Sequence, residues 1–442
     1  MVEGNGLSLA PGFIDTHSHL DRGFAQDRNM LPATSQGVTT IFVGQDGFSL
    51  QTASSLRASL EDAPVAVNVA TFSGHNTIRR RVMGLERRAP SQEELSEMAA
   101  AVEADMWAGA FGLSTGLIYE PGTFSETDEI IALAKVSASL GGRYASHVRN
   151  EGADIMSAMS EALLIGHETG QPVHISHLKI AVFPLWGKAN QITALFDEAR
   201  AGGAIVTADI YPYTYWASRL EALFEDKQYQ SAESLARTLE TSVPPESLVI
   251  AQFDPEPGLE GMTLQEIAEQ WSLGPVQAGL RMMQALLDYK AARPDTDKAS
   301  TVIGTSMSVQ DIRTFALWPY TNVGSDGAAG GHPRGHGTFP RYIDFVVHQT
   351  NLLTLEQAVH RMSGLSAENM GLIDRGLIRE GYAADLVLFD PDRIRDRATI
   401  DAPTRLSEGI ARVWVNGEVV FEAGEPVDAF PGVFIARPGC EC

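Results

Sequence analysis

A chain of 442 residues exceeds one average domain and can bury a large core. Its hydrophobic share of 44% and charged share of 20% are those of a globular protein, and no apolar run approaches the ~20 residues of a membrane span. A formal charge of -23 argues against nucleic acid as a partner, and leaves any anionic substrate dependent on cations placed locally in the site.

The opening residues carry neither a basic start nor an apolar stretch of the signal-peptide kind, so a cytoplasmic location is expected. Short apolar runs then alternate with helical patterns. Candidate strands are Phe13–His19, Thr39–Gly44, Val65–Phe72, Ala110–Thr115, Arg143–His147, Val173–His177, Ile205–Ile210 and Thr321–Asp326. Helical stretches between them include Ser91–Trp107, Asp128–Leu140, Ala153–Glu168 and Asn190–Ala201, with Ser91 and Glu94 spaced as a capping box. This alternation implies parallel pairing and an α/β fold. Eight strands suit a closed barrel, although a doubly wound open sheet has the same local pattern.

The rhythm breaks between Tyr211 and about Thr301, where Pro244, Pro245, Pro255 and Pro257 and a further apolar run, Leu248–Phe253, mark an insertion with its own structure. It changes again after Ile378, where Ala383–Phe389, Ile410–Val415 and Glu418–Glu422 read as short strands with a hairpin turn at Asn416-Gly417. The expected organisation is a barrel over 13–378 with an insertion at about 211–300, and a small β-appendage from 1–12 and 379–442. Cys440 and Cys442 cannot close a four-ligand zinc site alone, and their spacing strains a disulfide.

Chemistry concentrates at strand ends. In Asp15-Thr16-His17-Ser18-His19, residues two apart share a strand face, so His17 and His19 aim two imidazoles at one point. His147, His177 and Asp326 end three further strands, and in a parallel barrel such ends meet at one face. His174, at an odd offset from His177, is expected to point outward with no metal role. Each signal is weak alone; their combination is specific.

The segment Pro11-Gly12-Phe13-Ile14-Asp15-Thr16-His17-Ser18-His19 resembles the opening strand of the amidohydrolase superfamily, whose ligands run His-x-His, His, His, Asp. Further stretches are similar to the N-acyl-D-amino acid deacylase (D-aminoacylase) family. They are Gly37-Val38-Thr39-Thr40, Ser73-Gly74-His75, Gly112-Leu113-Ser114-Thr115-Gly116-Leu117, Ser146-His147-Val148-Arg149-Asn150-Glu151, Ile175-Ser176-His177-Leu178-Lys179 and Gly337-Thr338-Phe339-Pro340-Arg341. Gly381-Tyr382-Ala383-Ala384-Asp385-Leu386-Val387 and Val415-Asn416-Gly417 extend the likeness to about Val433.

The resemblance implies a distorted (β/α)8 TIM barrel with a small, incomplete β-sandwich appendage. It implies hydrolysis of N-acyl-D-amino acids with a divalent metal, zinc first, in one or two positions. His147 and His177 match ligands of the tighter metal, His17 and His19 those of the second, and Asp326 the catalytic carboxylate. Tyr119, Lys179 and Arg334 match positions that hold the substrate's carboxylate. His75 is read as loop support, and Glu151 and Arg149 as orienting the histidine of their own strand.

Two departures stand out. Where the family places a metal-ligating Cys, this chain has Asp46, a harder donor that would shift preference toward Mn, Fe or Co. The strand-four segment has no lysine, so the carboxylated-lysine bridge of hydantoinase-like relatives is not expected. The chain also starts inside the region where relatives carry appendage strands, which would leave a sheet edge for a partner subunit of a homo-oligomer to cover. Competing readings are a D-dipeptidase, cyclic amidase or lactonase with the same metal centre, or a catalytically silent barrel that binds or assembles.

Overall fold

The computed structural model describes residues 4, 6–293, 296 and 298–440. Residues 1–3 and 5, which open the expected appendage, and residues 441–442 lie outside the described residues.

Eight parallel strands form the centre: β1 (Phe13–Asp15), β2 (Val38–Val43), β3 (Asn68–Thr71), β4 (Gly112–Gly116), β5 (Arg143–His147), β6 (Val173–Ile175), β7 (Val206–Ile210) and β8 (Thr321–Val323). Hydrogen bonding divides them into an arc of β1 to β3 and an arc running from β8 through β7, β6, β5 and β4 to the short strand Ser73–Gly74. Two seams close the ring. The Phe111 amide donates to the Thr71 carbonyl at 2.8 Å, and a parallel bridge joins Ser18 to Gly327. The strands are short because only the barrel's waist is regular; the chemistry-bearing residues lie on their C-terminal ends.

Helices cover the outside, among them Gln92–Trp107, Thr127–Ser139, Ile155–Thr169 and Ala189–Ala201. The capping box at Ser91 and Glu94 is formed, each side chain satisfying the other's orphan amide. Outward strand residues such as Val69, Ile175 and Val206 join helix residues such as Met98, Leu133 and Phe196 in one apolar core. That burial is the main favourable term holding helices to barrel.

The insertion has a sheet and a core of its own. Strands Tyr215–Ser218 and Leu248–Phe253 flank Ser300–Thr305 in antiparallel pairing. Phe253, Ile267, Met282 and Leu286 are buried there with the helices Leu264–Gln270 and Pro275–Ala291. Its first strand returns to the barrel mouth, which is how the insertion reaches the site.

Outside the barrel, Ser8–Pro11 from before it and Leu386–Phe389, Ile410–Val415, Glu418–Glu422 and Glu425–Pro426 from after it make one five-stranded antiparallel sheet. The expected hairpin is present, with Asn416 and Gly417 both at positive φ. The expected sandwich is not: among the described residues the appendage is a single sheet. Its apolar face is covered by the barrel instead, where the Phe13 and Phe389 rings stand 6.2 Å apart and Val387 packs under Gly37. No helix among the described residues is long and apolar enough to cross a membrane.

One buried histidine sets an acid limit on stability. His336, in the helix Arg334–Ile343, is 4% exposed, and burial pulls its imidazole down to about 4. A base whose folded pKa lies below its unfolded value binds fewer protons when folded, so stability falls as pH drops from about 6.5 to about 4. Between pH 7 and pH 4.5 this single group is expected to cost about 2–3 kcal/mol. Urea unfolding of His336→Gln should show a pH dependence weaker by that amount; identical curves for the two proteins would exclude it.

Candidate metal centre and active site

Four imidazoles and two carboxylates meet at the barrel's C-terminal mouth. Asp46 is the hub. Its Oδ1 lies 3.3 Å from His17 Nε2, 3.3 Å from His177 Nε2 and 3.6 Å from His147 Nδ1, while Oδ2 lies 3.2 Å from His19 Nε2. Asp326 Oδ1 stands 3.4 Å from His19 Nε2 and 3.7 Å from His17 Nε2. All six predicted ligand positions are thereby brought together.

These spacings fit a cation better than they fit hydrogen bonds. Donors about 2.0–2.1 Å from a tetrahedral zinc are about 3.3–3.4 Å from one another, and the ring nitrogens and carboxylate oxygens here lie 3.2–3.7 Å apart. Both ring nitrogens of His17 and of His147 are buried without a hydrogen-bond partner. Leaving such atoms unpaired costs about 1–3 kcal/mol each. The electrostatics point the same way. Burial opposes a charged His19 and His177, yet the facing carboxylates raise them to about 9 and about 10. Burial also resists ionisation of Asp46, and the surrounding imidazoles hold it well below the usual carboxylate range. The acids demand positive charge where the six groups converge, and a divalent cation supplies it.

Local backbone explains the convergence. Asp46, His177 and Asp326 all have left-handed φ, at 55°, 36° and 49°. Each turns its side chain off the strand axis into the mouth. Gly44 and Gly47 flank Asp46 at φ 72° and 76°, and a Cβ on Gly44 would lie 2.3 Å from the Phe72 carbonyl.

The three predicted substrate-holding residues ring this centre. Arg334 is 6% exposed and its Nη1 pairs with Asp326 Oδ2 at 2.9 Å. Burial opposes ionisation of Asp326, but the guanidinium overcomes it and keeps the carboxyl far below its ordinary value. The Tyr119 ring lies tilted 4.8 Å from the His147 ring, and burial raises its phenol well above the usual range, so it stays a neutral donor. Lys179 is buried and bound, with Nζ 2.6 Å from Glu151 Oε1 and 2.7 Å from His177 Nδ1. A cleft of about 820 Å³ runs from Asp326, His147 and Lys179 to Trp216, Leu223 and Lys227. A second of about 710 Å³, beside Asp46 and Asp326, is walled by Arg334 and His332.

Several assignments shift. Glu151 lies 3.6 Å from His147 Nε2 but only 3.1 Å from His177 Nδ1, so it serves a neighbouring strand more than its own. Arg149 turns away from the histidines, with Nη2 2.8 Å from Glu161. His75 begins a helix rather than lying in a loop, and its Nε2 meets buried Glu129 at 2.8 Å. Its neighbour Asn76 braces the Gly116 and Tyr119 carbonyls, which keeps the support role but places it in a helix. His174 faces the barrel interior, not the helices, and its Nε2 meets Asp209 at 2.8 Å. The parity argument failed because β6 stops at Ile175 and the chain twists before His177.

Two groups escaped the sequence reading. Tyr211, just past β7, lies between the cations, its ring 4.8 Å from the Arg334 guanidinium and 5.6 Å from Lys179 Nζ. Asp15 holds the Ser325 amide at 2.8 Å and hydroxyl at 2.5 Å, next to Asp326. Both are polar residues at strand ends, the one signal that could have flagged them.

Known proteins match this architecture over nearly its whole length. The sequence profile of the Amidohydrolase family matches residues 321–421. The chain is 35% identical to N-acyl-D-aspartate deacylase of Alcaligenes xylosoxydans xylosoxydans, over 99% of this chain and 87% of that protein. It superposes with TM-score 0.86 and 33% identity on N-acyl-D-glutamate deacylase of Bordetella bronchiseptica, solved with zinc and a phosphonate inhibitor that mimics the tetrahedral intermediate, covering 98% and 90% of the two chains. A D-aminoacylase structure gives TM-score 0.87 at 32% identity over 99% and 90%. Likeness of this extent makes the chain a member of the N-acyl-D-amino acid deacylase family of amidohydrolases.

Proposed function

We propose that this chain hydrolyses the amide bond of N-acyl-D-amino acids, releasing a carboxylate and a D-amino acid. The observation that carries the reading is the cluster of His17, Asp46, His177 and Asp326 at ligand spacing, with His19 and His147 against Asp46, beside a buried arginine. Selectivity for the D-isomer comes from the relatives. We also read residues 13–378 as the catalytic barrel with an insertion at about 211–300, and residues 1–12 with 379–442 as its support.

In this reading His147, His177 and Asp46 hold the tighter metal position, and His17, His19 and Asp326 the second. Zinc is the first candidate, with Mn, Fe and Co favoured more than a thiolate site would favour them. A bound divalent ion supplies Lewis acidity, lowering the pKa of water toward ~7 and polarising the amide carbonyl. Asp326 takes a proton from the attacking water at a carboxylate oxygen and returns it to the leaving nitrogen, base first and acid second. Arg334, Tyr119 and Lys179 hold the substrate carboxylate so that the scissile carbonyl sits next to the nucleophile. Arg334 shares its guanidinium between that carboxylate and Asp326, which links binding to the proton carrier.

The test is a side-by-side assay of N-acetyl-D-amino acids, their L-isomers and cyclic amides, with added Zn, Mn or Co. Turnover of the D-isomers supports the proposal. Turnover of cyclic amides alone replaces it with another amidohydrolase activity, and a metal-free chain that gains no hydrolysis from any ion is a silent barrel.

A companion prediction concerns Arg334. Arg334→Met removes one member of a buried charge pair, worth about 2–5 kcal/mol, so kcat/KM for N-acyl-D-amino acids should fall roughly 30- to several-thousand-fold. The matching amides, which lack the carboxylate, escape the loss of the clamp but not the loss of the partner that holds Asp326 ionised, so they should lose less. Equal losses on both substrates would remove Arg334 from the carboxylate clamp.

A further inference from the structure

His177 has a Cβ and yet adopts φ 36°, a conformation that costs a non-glycine residue about 1–2 kcal/mol. The amides on either side are tied to strand carbonyls, Ser176 to Ser146 at 3.0 Å and Leu178 to Asp209 at 2.8 Å, and its own amide is held by a side chain. Asp209, in the middle of β7 and 0% exposed, accepts the His177 amide on Oδ1 at 2.7 Å. Its Oδ2 accepts the Thr16 hydroxyl at 3.3 Å and meets His174 Nε2 at 2.8 Å. His174 is fixed in turn, with Nδ1 2.8 Å from the Thr207 hydroxyl. Thr16 directly precedes His17. On the far side, a Cβ on Gly324 would come within 2.8 Å of the Asp209 carboxylate and 3.0 Å of His17 Cβ, so β8 must pass here as glycine. One interior carboxylate thus binds the ends of β1 and β6 to β7 and packs against β8, under residues that point into the metal site.

We propose that Asp209 is a positioning residue of the metal centre, its carboxylate locking the His177 backbone in the left-handed turn that aims Nε2 at Asp46, with His174 as the group that fixes the carboxylate's rotation. This rests on reading His177 as a metal ligand. Without the lock, relaxation of the His177 backbone toward ordinary φ swings the imidazole away from the other donors.

The experiment compares the wild-type chain with Asp209→Asn and His174→Leu. Asparagine keeps the size, but replaces one oxygen by an NH2 that Thr16 and His174 can meet only if the hydroxyl turns and the imidazole changes tautomer, which removes the charge and the fixed geometry of the lock. Each protein is stripped of metal and titrated with Zn(II) and Co(II) against a chromophoric chelator, with Co(II) absorption spectra and melting temperatures recorded. Asp209→Asn is expected to bind both ions about 10- to 100-fold more weakly and to show a shifted Co(II) spectrum. His174→Leu should move both readouts the same way by less. A merely structural role would lower the melting temperature and leave affinity and spectrum of the folded protein alone, which overturns the proposal. If Asp209→Asn does not fold, unchanged Zn(II) affinity in His174→Leu overturns it instead. A wild-type chain that binds neither ion fails at the earlier step, the reading of the site itself.

Discussion

Asp326→Asn is expected to lower kcat by about 10²–10⁴-fold while the protein keeps the metal held by His147, His177 and Asp46 and its KM changes little. Asparagine preserves the shape of a residue that is buried among His17, His19 and Arg334. It keeps an oxygen to face the imidazoles, and loses the one property the proposed mechanism needs, an oxygen that can take a proton and give it back. The position suits the task. Arg334 holds the carboxyl ionised despite burial, so its oxygens are unprotonated when substrate arrives, at the expense of their basicity. The measurement is kcat together with metal content of the same preparation. Unchanged turnover with metal bound eliminates the proton shuttle. Loss of metal along with turnover would make Asp326 first a ligand, and the shuttle would then need separate proof.

Most of this centre was legible because a parallel barrel converts sequence position into spatial position. Any residue ending a strand arrives at the same mouth, so His147, His177 and Asp326 could be grouped without knowing their contacts. His17 and His19 share a face by strand alternation, and that inference needs only the local backbone. Alternation stops being a guide where the strand stops. His177 lies two residues beyond the end of β6 in a left-handed turn, which reset the parity and misplaced His174. Asp209 was hidden for another reason. In Val206-Thr207-Ala208-Asp209-Ile210 the polar residues alternate inward, yet the run reads as an ordinary core strand unless the barrel interior is known to be polar at that level. The contributions of Trp216 and Ser218 were beyond reach, because they depend on how the insertion folds back over the mouth. The sandwich was a family expectation that the described chain meets with one sheet, its apolar face already covered by the barrel.

Replacing Asp46 should have the other large effect, since it touches all four histidines. Asp46→Ala is expected to lose the tighter metal and with it turnover, by about 10³-fold or more, because water without the ion's Lewis acidity is a poor nucleophile at neutral pH. Asp46→Cys is the more telling variant. It restores an anionic donor at the same backbone position, with one softer atom in place of two oxygens. A thiolate favours zinc, whereas a carboxylate tolerates manganese and cobalt better, so the wild-type chain should gain more activity from Mn(II) or Co(II), relative to Zn(II), than the cysteine variant does. Metal-dependent activity of the apo-proteins, titrated ion by ion, measures the difference. The same rank order of ions in both proteins, or full metal content in Asp46→Ala, would mean that the aspartate faces the site without ligating. The geometry argues otherwise: Oδ1 faces His17, His147 and His177 while Oδ2 faces His19, so the two oxygens of one side chain reach both halves of the site.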